Sequence, residues 1–158
     1  MRRQLLEQGE ADASAYNLTV ETLEALRGTE GVTVVEYPTT AVGWAILNVP
    51  RLGTVEARQG LCYAFPYDDV QNSVFKGMLR RTGPIADNTL GYDPDVFLYQ
   101  TDLAKAKELL TAGGIAEGST LEYLFDANDE REATISQLYQ AKLAEIGIML
   151  VAVYGFWR

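Results

Sequence analysis

Carboxylates are the side chains of this sequence that could carry chemistry. The stretch "DANDERE" places Asp126, Asn128 and Asp129 within four positions, directly before a predicted helix. A calcium loop has similar acidic spacing, but the glycine of its sixth position is missing here and the helix begins too early. We therefore interpret these side chains first as helix-capping groups. Asp93 and Asp95 flank a proline, which is typical of a turn rather than of a catalytic pair.

Other reactive groups are scarce. The sequence has no histidine and one cysteine, which excludes Ser-His-Asp and Cys-His catalysis, internal disulfides and thiolate metal clusters. Cys62 lies in the apolar stretch "GLCYAF" and is expected to pack as a small core residue. No glycine-rich phosphate-binding motif and no nucleophile motif of the hydrolases occurs. We therefore expect no catalytic residues, no metal site and no cofactor.

Charge narrows the range of partners. The chain of 158 residues has 13 basic and 22 acidic side chains, a formal net charge of −9. This balance argues against nucleic-acid binding, which needs a basic surface for the phosphates, and against docking on anionic lipid. The start, "MRRQLLEQGEADAS", has two arginines but no long apolar stretch behind them. We therefore expect no signal peptide within this segment.

Helix signals and capping residues recur along the chain. The predicted helices cover 2–8, 20–27 after a Thr19 cap, 55–64 after a Thr54 cap, 66–76, 103–112 after a cap at Thr101 or Asp102, and 130–146. The apolar side of the fifth helix consists of Leu103, Ala106, Leu109 and Leu110. Gly113 is predicted to supply the left-handed residue that ends this helix.

Apolar, β-branched stretches predict four strands, at 32–37, 42–49, 120–125 and 148–154. The second is apolar on both faces, which is typical of a central strand. The last two flank a helix with short joints, so we expect a parallel β-α-β unit with a right-handed crossover. Residues 82–99, between the predicted helices at 66–76 and 103–112, contain prolines, glycines and aspartates. They are expected to form a long irregular loop.

Six short passages, in order, resemble the family 5 solute-binding proteins of bacterial ABC importers. The passages are "LLEQGEADAS", "WAILNV", "VEARQGLCYAF", "GMLRRTGPIADNTLGYDPD", "DLAKAKELLTAGGI" and "QAKLAEIGIML". The sequence departs from the family pattern at Gly60, where the family has alanine, at Pro66 and Tyr67, and at Val49. Family members are several times longer than this chain, so it is similar to an internal part of one.

The resemblance implies an α/β fold, part of a periplasmic-binding-protein-like (type II) two-lobe structure with a mixed sheet flanked by helices. Residues 1–48 would be the end of the first lobe with its hinge-side strands, and 49–158 part of the second lobe. The implied function is capture of peptides or similar small solutes by hinge closure. The implied partners are the solute and, for the whole receptor, an ABC permease. The whole receptor would be periplasmic or anchored outside the cell membrane, and not an enzyme.

Four residues are ligand-binding candidates under this resemblance. Trp44 and Asn48 lie at a predicted strand end, and Asp126 and Asn128 lie at a strand-to-helix turn, where open α/β sheets bind ligands. Each has an alternative role: core packing for Trp44, and capping for the other three. Two alternative functions also stay open, an autonomous interaction module without a small ligand and a carboxylate-dependent glycosidase. If parts of the receptor are missing, exposed apolar surface would favour a homodimer of this segment.

Overall fold

A computed structural model describes residues 2–14, 18–126 and 128–155. Its helices are α1 (Arg2–Glu7), α2 (Val20–Arg27), α3 (Val49–Leu52), α4 (Val55–Ala64), α5 (Tyr67–Asp69), α6 (Leu103–Ala112) and α7 (Glu130–Glu145). A π-helical turn, Val70–Val74, continues α5, and the strands are β1 (Thr120–Asp126) and β2 (Met149–Gly155). In the described part of the chain no helix is long and apolar enough to cross a membrane.

The capping predictions for α2, α4 and α6 are confirmed. The hydroxyl of Thr19 accepts a hydrogen bond from Thr22 N, and that of Thr54 accepts one from Ala57 N. At α6 the cap is Asp102, whose carboxylate accepts from Lys105 N at 2.9 Å. Each cap satisfies a backbone donor that the first helical turn leaves without a partner.

The predicted parallel β-α-β unit is also confirmed, while the right hand of its crossover stays a prediction. Strands β1 and β2 pair in parallel, with Thr120 opposite Met149 and Asp126 opposite Gly155, and α7 connects them. The side chains of one face of the sheet turn toward α7, where Phe125 and Leu150 are buried. Among the described residues, the sheet that the resemblance implies is represented by this one parallel pair of strands.

The core lies where α4, α6, α7 and the sheet meet. Its buried members are Leu61, Ala64, Ala106, Leu110, Tyr139, Leu143, Ile146, Ile148 and Leu150. The Tyr139 hydroxyl crosses this core and donates to Leu61 O at 2.9 Å. This bond joins α7 to α4 and satisfies a phenol that would otherwise be buried without a partner.

Gly60 explains how closely α4 approaches α6. A Cβ atom at this position would lie 2.7 Å from Leu110 Cγ and 2.9 Å from Leu110 N. Glycine within a helix costs about 1 kcal/mol relative to alanine, but here it gives the α6 backbone room to approach. The departure from the family's alanine therefore has a packing reason in this chain.

The left-handed residue after α6 is Gly114, so the prediction for Gly113 is wrong. Gly114 has a φ of +87°, whereas Gly113 has an ordinary φ of −80°. Gly113 is required for a different reason: a Cβ atom there would lie 2.5 Å from the backbone nitrogen of Ala57 in α4. The first glycine makes room for α4 and the second reverses the chain.

The two strands predicted within 32–49 are not present. Residues 32–48 form neither helix nor strand and pair with no strand among the described residues. Val35 and Ile46 expose 74% and 87% of their surface. The β-branched composition encodes an extended backbone, but a strand also requires a neighbour to accept and donate its hydrogen bonds. The "hinge-side strands" expected within residues 1–48 are therefore corrected to a segment, 32–48, without strand pairing among the described residues.

Residues 82–99 form the irregular loop that the sequence predicts. Its two ends are tied together, because the Arg81 guanidinium donates to Tyr99 O. Gly83 packs so tightly on Val96 that a Cβ atom would lie 2.4 Å from Val96 Cγ1. Asp95 N donates to the Asp93 carboxylate at 2.9 Å, which confirms the predicted turn.

Candidate functional site

Asn48 begins the short helix α3. Its side-chain oxygen accepts a hydrogen bond from Arg51 N at 3.1 Å, so Asn48 is an N-cap. The flanking residues Leu47 and Leu52 pack on the core, which fixes this end of the 32–48 segment beside the sheet. Asn48 itself is exposed. The capping interpretation of Asn48 is therefore confirmed. Its role as a ligand contact stays a prediction, for which the exposed amide is available.

Trp44 lies in the 32–48 segment, four residues before Asn48. It exposes 63% of its surface, so the core-packing interpretation of this side chain is wrong. An exposed tryptophan offers a large planar surface with one hydrogen-bond donor, which suits stacking on a ligand or packing against another polypeptide. No described strand covers this segment, which is the physical reason that Trp44 is not in the core.

The carboxyl end of β1 forms a polar turn. The Asp126 carboxylate accepts hydrogen bonds from Asn128 N at 2.9 Å and from Asn128 Nδ2 at 3.1 Å. Asp126 N in turn donates to the Glu132 carboxylate at 2.8 Å. The structure therefore brings Asp126 and Asn128 together, as predicted. Glu132 also belongs to this turn. The local sequence pattern did not indicate it, because its partner Asp126 lies six residues earlier.

Asp129 performs the capping that the acidic cluster predicts. Its carboxylate accepts from the backbone nitrogen and the guanidinium of Arg131, each at 2.9 Å. The guanidinium bond is the main reason that the pKa of Asp129 is lowered from its ordinary value, and backbone N–H groups at the start of α7 add to the effect. Partial burial acts in the opposite direction. The ionised carboxylate is thus favoured in the folded protein.

This cap gives a pH-dependent prediction. We expect Asp129→Ala to lower the free energy of unfolding at pH 7 by about 0.5–2 kcal/mol. Because the folded-state pKa is lowered, the carboxylate stabilises fully above the ordinary aspartate pKa of about 3.9 and stops doing so as the pH falls through the folded-state value. Asp129→Asn keeps a capping oxygen but loses the charge, so its deficit should shrink in acid. Urea titrations between pH 7 and pH 3 measure this; a deficit of Asp129→Asn independent of pH would contradict it.

One ion pair connects the two halves of the predicted site. Arg51, in the helix that Asn48 caps, donates to the Glu122 carboxylate at 2.8 Å. Glu122 lies on the same side of β1 as Asp126, four residues earlier, a distance of about 13 Å along a strand. Among the described residues no hydrogen bond joins Trp44 or Asn48 directly to Asp126 or Asn128. The helix that Asn48 caps and the Asp126–Asn128 turn are therefore two separate polar regions, one near Glu122 and one at the carboxyl end of β1.

Aromatic side chains form a second feature, which the sequence analysis did not predict. Tyr99 contacts both Tyr63 and Phe97 edge to face, with ring centroids 5.1 Å apart in each pair. The Arg81 guanidinium lies 4.7 Å from the ring centroid of Tyr67. A sequence signal existed in the regular recurrence of aromatics at 63, 65, 67, 97 and 99. These contacts hold the ends of the 82–99 loop on α4 and α5.

The buried tyrosines and the cysteine have raised pKa values and are therefore poor acids. Burial raises the pKa of Tyr67 to about 12 and raises the pKa of the buried Tyr139 well above its ordinary value. Burial also raises the pKa of the Cys62 thiol. These groups are held in their neutral forms, which suits packing rather than nucleophilic or acid-base chemistry.

These elements have the same fold as part of solved periplasmic binding proteins. A dipeptide-binding protein from Pseudoalteromonas sp. SM9913 in complex with Met-Leu superposes with a TM-score of 0.85 at 22% identity, covering 99% of this chain and 32% of that one. An ABC transporter-associated periplasmic binding protein from Helicobacter pylori, in complex with the peptide STSA, gives a TM-score of 0.80 at 24% identity, covering 99% and 30%.

The chain belongs to the bacterial extracellular solute-binding proteins of family 5, because the model of the family's middle region matches residues 1–156. A probable D,D-dipeptide-binding periplasmic protein from Escherichia coli K12 is 29% identical over 155 residues, which is 94% of this chain and 29% of that protein. The dipeptide-binding protein of the same organism is 29% identical over 142 residues, covering 81% and 25%. The chain thus spans less than a third of the length of these relatives.

Proposed function

We propose that this chain is the middle part of a receptor that captures peptides or similar small solutes and delivers them to an ABC permease. The observation that carries this proposal is the family match over residues 1–156. Relatives whose names state dipeptide or glutathione binding support the choice of solute. The receptor would close two lobes around the solute and break no covalent bond. It would act in the periplasm or attached outside the cell membrane, and it would not be an enzyme.

Four side chains are proposed to contact the solute. Trp44 offers an exposed ring for stacking, and the amide of Asn48 offers a hydrogen-bond donor at the start of α3. One oxygen of the Asp126 carboxylate is occupied by Asn128, which leaves the other to accept from a solute N–H or ammonium group. We place the boundary between the lobes at residues 48 and 49, where the 32–48 segment ends and α3 begins.

The alternative functions have less support. A glycosidase requires two carboxylates about 5–10 Å apart in a cleft, and the acidic turn at Asp126 and Asp129 is instead occupied with capping contacts. An autonomous interaction module would be consistent with exposed apolar side chains such as Ile46. The named relatives, however, are binding proteins for small solutes.

Calorimetry with Met-Leu tests the proposal. The isolated chain should bind this dipeptide with a dissociation constant above the micromolar range. Half a cleft buries only part of the ligand and cannot close around it. A graft, in which this chain replaces the superposed third of the Pseudoalteromonas dipeptide-binding protein, should bind it. Trp44→Ala and Asp126→Asn should each weaken binding by the graft at least 10-fold, a loss of about 1.4 kcal/mol.

The control is Asp93→Asn, because Asp93 is committed to a turn in the 82–99 loop. Binding by this variant should equal that of the unaltered graft. Micromolar or tighter binding by the isolated chain would contradict the two-lobe proposal. A folded graft that does not bind Met-Leu would reject the proposed function, and unchanged binding by Trp44→Ala and Asp126→Asn would reject the proposed contacts.

The isolated chain should also associate weakly with itself. Segments with apolar side chains such as Val35 and Ile46 at the surface lower their free energy by covering one another. We therefore expect multi-angle light scattering to show a dimer that forms at high concentration and dissociates on dilution. A strict monomer at the highest accessible concentration would contradict this expectation.

A further inference from the structure

Lys76 is held in an uncommon backbone conformation. Among the residues that the structure describes, it is the one non-glycine residue with a positive φ, +46°. It follows the π-helical turn Val70–Val74, at a place where helices usually end in glycine because a Cβ atom is strained in the left-handed region. Gly77 N donates to Gln71 O at 2.9 Å, so hydrogen bonds close the turn around the strained residue. Such strain persists only where the surroundings fix it, and it is a reason to look for a function of the side chain.

The ammonium group of Lys76 contacts a distant helix. Its Nζ lies 3.0 Å from a carboxylate oxygen of Glu21 and 3.3 Å from one of Glu24, both in α2. The two glutamates are three positions apart, so they lie on the same side of that helix and face the lysine together. The hydrogen bond to Glu21, and then that to Glu24, raise the pKa of Lys76 above its ordinary value. These three residues are called the Lys76 cluster here.

A second contact connects the same two parts of the chain. Asn88, in the long loop, donates through Nδ2 to Thr39 O at 3.2 Å. These partners are 49 residues apart in the sequence, and Lys76 and Glu24 are 52 apart. The polypeptide itself passes from the earlier part to the later part at residues 48 and 49. Both contacts are therefore made far along the chain from that covalent connection.

We propose that the Lys76 cluster is a positioning contact, which fixes α2 and the part of the chain before residue 49 relative to the part after it. Two parts joined at one point rotate relative to each other unless a large apolar interface or further contacts restrict them. The inference rests on the proposed function only in treating residues 48 and 49 as the lobe boundary. It goes beyond that function by assigning a side chain that keeps Trp44 at a defined distance from Asp126.

The distance between two spin labels tests the proposal, because an exposed ion pair contributes too little to global stability to be read there. In a Cys62→Ser background, Glu30→Cys carries a label after α2 and Glu108→Cys carries one on α6; both glutamates are exposed. Electron-electron double resonance on labelled chain diluted with unlabelled chain should give one narrow distance distribution. Lys76→Met should widen this distribution at least about twofold, since relative motion of the two parts is then unrestricted.

Two matched variants should leave the distribution narrow. Lys76→Arg keeps the positive charge. Lys107→Met removes an ammonium group that pairs with Glu117 at 3.0 Å, within the later part of the chain. Lys76→Gly, by contrast, relieves the strained backbone but removes the charge, so it should widen the distribution as Lys76→Met does.

Exchange of the charges separates ion pairing from any other role of Lys76. The double variant Glu21→Lys, Glu24→Lys should widen the distribution, because three ammonium groups then repel one another. Addition of Lys76→Glu to this double variant should narrow it again. The altered α2 is the same in both proteins, so any loss of helix stability cancels from the comparison.

An unchanged distribution in a folded Lys76→Met protein would overturn the proposal. So would a distribution that stays wide after the charges are exchanged, and this comparison decides the matter if Lys76→Met does not fold. Circular dichroism and urea titration establish folding for each variant. In the graft described above, a narrow distribution that Lys76→Met widens, together with no binding of Met-Leu, would support this inference and reject the proposed function.

Discussion

Leu110→Ala should lower the free energy of unfolding by about 2–5 kcal/mol, the range for removal of a fully buried leucine side chain. Leu110 has no exposed surface and belongs to the core shared by α4, α6, α7 and the sheet. Its Cγ lies against Gly60, so the side chain fills the space between the two helices. Truncation would leave a cavity that close-packed helices cannot fill, and urea titration followed by circular dichroism would measure the loss.

The matched control for this prediction is Leu90→Ala. Leu90 is fully exposed in the 82–99 loop, so the same substitution there should change the free energy of unfolding by less than about 0.5 kcal/mol. Equal effects at the two positions would contradict the core described above. Gly60→Ala should also lower the free energy of unfolding less in the Leu110→Ala protein than in the unaltered one. The new methyl group at position 60 clashes with the Leu110 side chain, and that clash disappears when the side chain is truncated.

Gly113→Asn should destabilise the protein by about 1–3 kcal/mol, the usual cost of forcing extra atoms into a packed interface. The new Cβ would lie 2.5 Å from Ala57 N and 2.8 Å from Ala57 Cα, so α4 or α6 would have to move. Gly114→Asn should cost less, since this position has open space and asparagine tolerates a positive φ better than most residues.

The pair of asparagine variants distinguishes two explanations of the double glycine. If Gly113 were instead the left-handed residue, as the sequence predicts, Gly113→Asn would meet only the strain of a positive φ, which asparagine tolerates, and its cost would be small. Thermal and urea unfolding of both variants, measured side by side, give the two costs. A Gly114→Asn protein less stable than the Gly113→Asn protein would contradict the close approach of Gly113 to Ala57.

Local signals in the sequence predict the helices and the β-α-β unit well. Thr54, Asp102 and Asp129 are caps whose bonds are made within three residues, so no distant part of the chain is needed to recognise them. The two strands predicted within 32–49 fail for the opposite reason. Their hydrogen-bond partners would have to come from elsewhere, and composition states only that the backbone is extended.

The glycines and the site show the same limit. Sequence indicates that a glycine ends α6, but only the approach of Ala57 shows which of the two is required for packing. Asp126 and Asn128 could be placed together because two positions separate them. The Arg51–Glu122 ion pair joins residues far apart in the sequence, so it depends on how α3 packs beside the sheet. The lobe boundary and the four solute contacts remain predictions.

The parallel pairing of β1 with β2 has a consequence for how the chain folds during synthesis. Parallel partners cannot meet through a tight turn, so β1 must wait until α7 and β2 have left the ribosome. Helices α4 and α6 are complete earlier and can already pack through Gly60 and Gly113. In the nascent chain the contacts between α4 and α6 would thus form first. The pairing of β1 with β2, which is non-local and slower, would form last.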